Sequence, residues 1–228
     1  MDRYNDGGSI YDKEYFENGL ASGKSLYNGY VWMPERSLVE ATAIIDALKI
    51  PRGAKILDYG ASKGFLVKAL RMLGRDAYGL DISRYAICTA DKDVRQYLRL
   101  STKNFPYNEH FDFCVAKDVF EHLTEDVLEE ALKEIYKWCK ILFVVVPLGK
   151  ETGKVNEFGI HEEDFVVPEY SYDATHVLAK NIQWWCNIFE KNRFKVTNAL
   201  FRVDGLKDNW SHYPNGNGFL FLKKKGDK

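Results

Sequence analysis

The stretch 55-KILDYGASKGFLVKAL-70 decides how the chain is built. Its first five residues read as a short strand carrying apolar Ile56, Leu57 and Tyr59. The apolar residues then recur at helical spacing, which predicts a helix over 64–73. Between strand and helix stand Gly60 and Gly64, separated by the small or polar Ala61, Ser62 and Lys63. Glycine lets the backbone turn sharply and lets a ligand approach with no Cβ in the way.

The alternation continues downstream. Strands are predicted over 76–82, 97–101 and 111–116, and helices over 84–91 and 125–139. Residues 141–146, ILFVVV, are so uniformly apolar that a strand there must be covered on both faces. Strands alternating with helices of this length imply βαβ units and a parallel sheet. Upstream, 34–49 is a helix with Pro34 in its first turn, stopped by Pro51-Arg52-Gly53. After Pro147 the period fades, and 148–180 reads as a long functional loop. An aromatic-faced helix follows over 181–192. Two closing strands, 194–203 and 218–223, form an antiparallel edge.

Composition narrows the function. In 228 residues, 32 Lys+Arg nearly balance 33 Asp+Glu, against a protein that binds by neutralising many phosphates. The one dense basic run, Lys223-Lys224-Lys225, reads as a solvated end that keeps an edge strand soluble. Cys88, Cys114, Cys139 and Cys186 form no C-x-x-C pair and read as reduced core residues of a cytoplasmic protein. The polar, acidic start is not a signal peptide. The run 141–146 is too short to cross a bilayer.

In an open α/β sheet, ligands bind outside the carboxyl ends of the strands. Those ends present Asp58, Gly60, Ala61, Ser62 and Gly64, then Asp81, then Ser101 and Thr102, then Lys117, Asp118, Glu121 and His122. Asp81 lies 21 residues beyond Gly60, where a carboxylate accepts from the two hydroxyls of a ribose. Neither G-x-G-x-x-G nor G-x-x-x-x-G-K-[ST] is present, so the loop suits an adenosine ligand without a pyrophosphate.

ILDYGASKGFLVKAL, YGLDIS and FDFCVAKDVFEHL, in this order, resemble a class I S-adenosylmethionine-dependent methyltransferase of the small-molecule type. The family's first motif is usually D-x-G-x-G-x-G, and Ser62 replaces its middle glycine. The late stretch DATHVLAKNIQWWCNIFEKNRFKV is also similar to that family. The resemblance implies an α/β, Rossmann-like, doubly wound, seven-stranded and mostly parallel sheet. Its last strand is antiparallel and its helices lie on both faces. It implies one domain over 1–228, with 1–33 as an N-terminal lid and 148–180 on the substrate side.

It also implies roles. Asp58 and the Gly60–Gly64 backbone, with Ala61 and Ser62, hold the methionine end of S-adenosylmethionine. Asp81 holds the ribose, and Ile82 packs on the adenine. Ser101 and Thr102 meet the adenine edge, where the usual acid is missing. Lys117 and Asp118 lie beside the transferring methyl, and Tyr15 of the lid touches the cofactor. S-adenosylhomocysteine is the product.

Methyl transfer from a sulfonium needs alignment and desolvation, and a hydroxyl acceptor also needs a base. His176 is the first candidate, His122 the second and His161 the third; a packed structural histidine is the alternative at each of the first two. The acids and histidines between Asp118 and His176 can also be read as a metal site, but the neighbours in HEED (161–164) make a poor chelate and H-E-x-x-H is absent, so no metal is expected. Of Trp184 and Trp185, one is expected on the sheet and the other toward the substrate. The expected reaction is methylation of an oxygen or nitrogen on a small polar molecule such as a sugar, by a monomer or homodimer. RNA or protein methylation, a nicotinamide oxidoreductase and a non-enzymatic cofactor-binding relic are the alternatives. No N-P-P-Y or D-P-P-Y follows the fourth strand, which speaks against amino-methylation of a nucleic-acid base.

Overall fold

In the computed structural model, which describes residues 7–102, 104–155 and 161–226, the chain opens with two short helices, α1 (Lys13–Glu17) and α2 (Gly19–Ser22). Pro34 begins α3 (Pro34–Leu48), whose end is turned by Lys49 in the left-handed conformation just before Pro51. The alternation follows as β1 (Lys55–Tyr59), α4 (Phe65–Met72), β2 (Asp76–Asp81), α5 (Arg84–Thr89), α6 (Lys92–Arg95) and β3 (Leu98–Leu100). Then come β4 (Phe111–Lys117), α7 (Glu125–Trp138) and β5 (Cys139–Pro147). The expected helix over 84–91 is shorter because Ala90 adopts an extended ψ of 151°. No membrane-crossing length of apolar helix occurs among the described residues.

Seven strands form one sheet, completed by β8 (Phe194–Leu200) and β9 (Asn217–Lys224) after the hairpin β6 (Gly149–Val155) and β7 (His161–Phe165) and the helix α8 (Ile182–Lys191). The order is β3-β2-β1-β4-β5-β9-β8, with β9 antiparallel to both neighbours and every other pairing in the sheet parallel. The doubly wound, seven-stranded sheet expected above is therefore present. Its two faces sort by alternate residues. Leu57, Cys114, Leu142, Val144 and Leu222 join the core under α7 and α8. Ile56, Val115, Phe143, Val145 and Phe219 join the core under α3 and α4. Burial on both faces explains the unbroken apolar run of β5.

Four expectations need correction. Residues 148–180 are not one loop. They contain the hairpin β6–β7 and a 3-10 turn over Pro168–Tyr172, though 156–160 lie outside the described residues. The strand GKETGKV is exposed along nearly its whole length, so no apolar alternation marks it. Lys223 and Lys224 end β9, which lies between β5 and β8, so they guard no sheet edge. Cys88 is exposed and Cys186 half-buried, so only Cys114 and Cys139 are core thiols. Trp185 is buried as expected, but Trp184 packs beside the Lys180 ammonium and does not line the cavity at the strand ends described below.

Candidate active site

The loop after β1 is a run of left-handed residues. Gly60 has φ +82°, Ser62 +52° and Gly64 +77°. A Cβ on Gly60 would stand 2.3 Å from Val119 Cγ2, so the turn needs glycine for space as well as conformation. The N–H of Ser62 then points at Asp81, whose Oδ2 accepts from it at 2.6 Å. Asp81 Oδ1 accepts from the N–H of Ser83 at 2.7 Å. Each oxygen keeps a lone pair for a ligand hydroxyl. Burial lifts the Asp81 pKa to about 6, and the Ser83 and Ser62 amides moderate the rise.

These strand ends open into a cavity of about 970 Å³. Gly60, Ser62, Asp81, Ile82 and Ser101 line one part of it. Asp118, Val119 and His122 line another, from the turn after β4. Tyr11 and Tyr15 line it from the N-terminal segment. That segment is anchored at three points around the cavity. Ser83 Oγ donates to Tyr11 O at 2.6 Å, Lys63 Nζ meets Glu17 Oε1 at 2.6 Å, and the Tyr15 hydroxyl donates to Asp173 Oδ2 at 3.1 Å. Residues 1–6 of the expected lid lie outside the described residues.

Other expected site residues stand behind the wall. Asp58 is buried, and its pKa is pushed up to about 7 by that burial, against the pull of Lys117. Ala61 is buried, and Gly64 packs against Leu98. Thr102 turns its hydroxyl to Asn104 O at 2.7 Å, away from the cavity wall. Lys117 lies 2.9 Å from Asp118 Oδ2 and 3.9 Å from Glu40, also outside the wall. His122 reaches the cavity whereas His176 lies behind it, with ring centroids 4.5 Å apart. The side chain of His161 is outside the described residues.

Three participants had no marked role in the sequence. Lys207, from the loop before β9, approaches Asp118 Oδ1 to 2.6 Å. Burial opposes the Asp118 charge, but Lys117 and Lys207 together hold its pKa well below the usual carboxylate range. Tyr11 joins Tyr15 in an edge-to-face pair at 5.0 Å. Glu121 is fully buried between Phe120 and His122. The aromatic excess of the first thirty residues signals Tyr11, whereas nothing local signals Lys207.

Residues 57–141, which hold the loop, Asp81 and the turn after β4, match a methyltransferase domain family. Over these residues the chain carries a methyltransferase domain. An uncharacterized methyltransferase of Bacillus cytotoxicus is 26% identical over 162 residues, covering 62% of this chain and 70% of that protein. A TehB-like S-adenosylmethionine-dependent methyltransferase from Corynebacterium glutamicum has a similar fold, with TM-score 0.58 and 20% identity over 96% of this chain and 98% of the other. A chain from the complex between the Haloferax volcanii Trm112 methyltransferase activator and a methyltransferase has a similar fold, with TM-score 0.62 at 13% identity, over 86% of this chain and 92% of that chain.

Proposed function

We propose that this methyltransferase moves a methyl group from S-adenosylmethionine to an oxygen or nitrogen of a small polar molecule, with sugars the first acceptors to try. The observation that carries the donor assignment is Asp81. It is buried, set by the two amides of Ser62 and Ser83, and left with free lone pairs toward the cavity. That is the arrangement a ribose diol requires. Gly60 and Ser62 border the methionine end, with Asp58 supporting the loop from behind. Ile82 and Ser101 border the adenine.

At the other end Asp118 and His122 meet the acceptor. Asp118 stays ionised beside its two lysines, and burial lowers the His122 pKa to about 4, an effect that His176 reinforces. A neutral imidazole at the wall accepts from an acceptor hydroxyl or N–H. Residues 7–33 act as the lid that excludes water from the sulfonium, with Tyr15 as the contact. The near balance of charge and a cavity of about 970 Å³ favour a small acceptor over RNA.

Calorimetry with S-adenosylmethionine, S-adenosylhomocysteine and NADH tests the donor on the wild type and on Asp81→Ala. Binding of the two adenosyl ligands alone, weakened at least about tenfold in the variant, is expected from losing a charged hydrogen-bond pair. Adenosyl binding indifferent to Asp81 would sink the reading.

A further inference from the structure

His122 belongs to a cluster whose other two members, Glu121 and His176, methyl transfer by alignment leaves without a task. A carboxylate oxygen of Glu121 and one ring nitrogen each of His122 and His176 lie within 4.8 Å of one another. The cluster is built into the backbone. Glu121 and His122 share the 3-10 turn Phe120–His122 after β4. His176 comes from far along the chain, and the N–H groups of Val177 and Leu178 both donate to Glu121 O, at 2.8 and 3.1 Å.

Hydrogen-bond accounting shows where the lone pairs are. His176 Nδ1 lies 2.7 Å from Tyr170 O, which only accepts, so Nδ1 carries the proton and Nε2 the lone pair. Thr175 Oγ1 donates to Asp173 Oδ1 at 2.6 Å, so it accepts from His122 Nδ1 at 2.7 Å. Both rings are thus held by outer partners in the tautomer whose Nε2 is bare, the pattern that surrounds metal-ligating histidines. His176 Nε2 faces Glu121 Oε1 at 4.0 Å, too far for a hydrogen bond. Glu121 Oε2 is buried with no partner at all. The nearby Lys207 ammonium is spoken for, by Asp118 at 2.6 Å and the Tyr170 hydroxyl at 3.2 Å.

We infer that Glu121, His122 and His176 bind one divalent first-row transition-metal ion beside the methyl-transfer cavity. Two imidazoles and one carboxylate suit zinc, manganese, iron(II) or cobalt(II); magnesium and calcium favour oxygen ligands throughout. Three protein ligands leave a coordination position open. His122 borders the cavity, so that position faces the acceptor, and an acceptor presenting an oxygen is the class the ion would hold. His122 then serves the ion instead of accepting a hydrogen bond from the acceptor. This last role rests on the methyltransferase reading, whereas binding of the ion does not.

The test uses the full chain stripped with EDTA and titrated with zinc chloride and cobalt chloride. One equivalent should bind, and Glu121→Gln and His176→Gln should each lose at least about tenfold in affinity while still binding S-adenosylhomocysteine. In the wild type, zinc should move the ring resonances of His122 and His176 in a proton–nitrogen NMR spectrum and leave the other three of the five histidines in place. That readout needs no variant to fold. Lack of stoichiometric binding, or shifts at other histidines, would overturn the site. Zinc binding with no adenosyl binding would keep the site and remove the methyltransferase reading; the reverse would do the opposite.

Discussion

Ser62 holds the middle of the turn after β1, where the family motif places glycine. Its φ of +52° is one that glycine adopts freely and that an L side chain adopts at a cost. Its hydroxyl is also buried without a partner. Ser62→Gly should therefore stabilise the protein by about 1 kcal/mol, read as a higher urea midpoint, with cofactor binding intact. Asp81 makes a second prediction at this scale. Its folded pKa of about 6 means that it takes up a proton as pH falls through 6 and loses an acceptor for the ribose. Affinity for S-adenosylhomocysteine should drop about tenfold between pH 7.5 and pH 5, by single-proton linkage. The drop should vanish in Asp81→Asn, and a flat profile in the wild type would detach Asp81 from the ligand.

At the scale of elements, Lys63 joins the turn after β1 to the N-terminal segment. Its ammonium meets Glu17 Oε1 at 2.6 Å and Tyr30 O at 2.9 Å, and sits 5.8 to 6.0 Å from the rings of Phe16, Tyr30 and Tyr85. Loss of these charge-assisted bonds in Lys63→Met should release about 1–3 kcal/mol of local stability. Protease cleavage within 7–33 should become faster while the thermal transition of the sheet hardly moves. Equal protection in variant and wild type would show that the tyrosine cluster alone holds the segment. The same scale explains what the sequence conceals. Periodicity reveals β1, β2, β4 and β5 because their side chains are buried, and it misses β6 because that strand is held by backbone pairing with its side chains in water.

For the whole molecule, stability comes from two cores divided by one sheet. Trp185 fills the core under α8 and is fully buried, yet its indole N–H has no partner. Trp185→Ala should cost about 3–5 kcal/mol through the cavity it leaves. Trp185→Phe should cost far less, since most of the apolar ring stays and an unsatisfied donor disappears. Urea unfolding of both variants separates these effects, and equal losses would mean that the N–H has a partner after all.

By itself the sequence determined the alternation of strands and helices, the turn at Gly60 and Gly64, and the place of Asp81 at the next strand end. These are local properties: burial repeats with a period of 2 or 3.6 along the chain, and a βαβ unit sets the spacing between consecutive strand ends. Only the tertiary structure decided that Lys207 meets Asp118, that Tyr15 reaches Asp173, and that His176 comes to rest against Glu121 and His122. Each of those meetings joins segments far apart in the chain. Periodicity records which way a side chain faces and carries no information about which distant segment it will face.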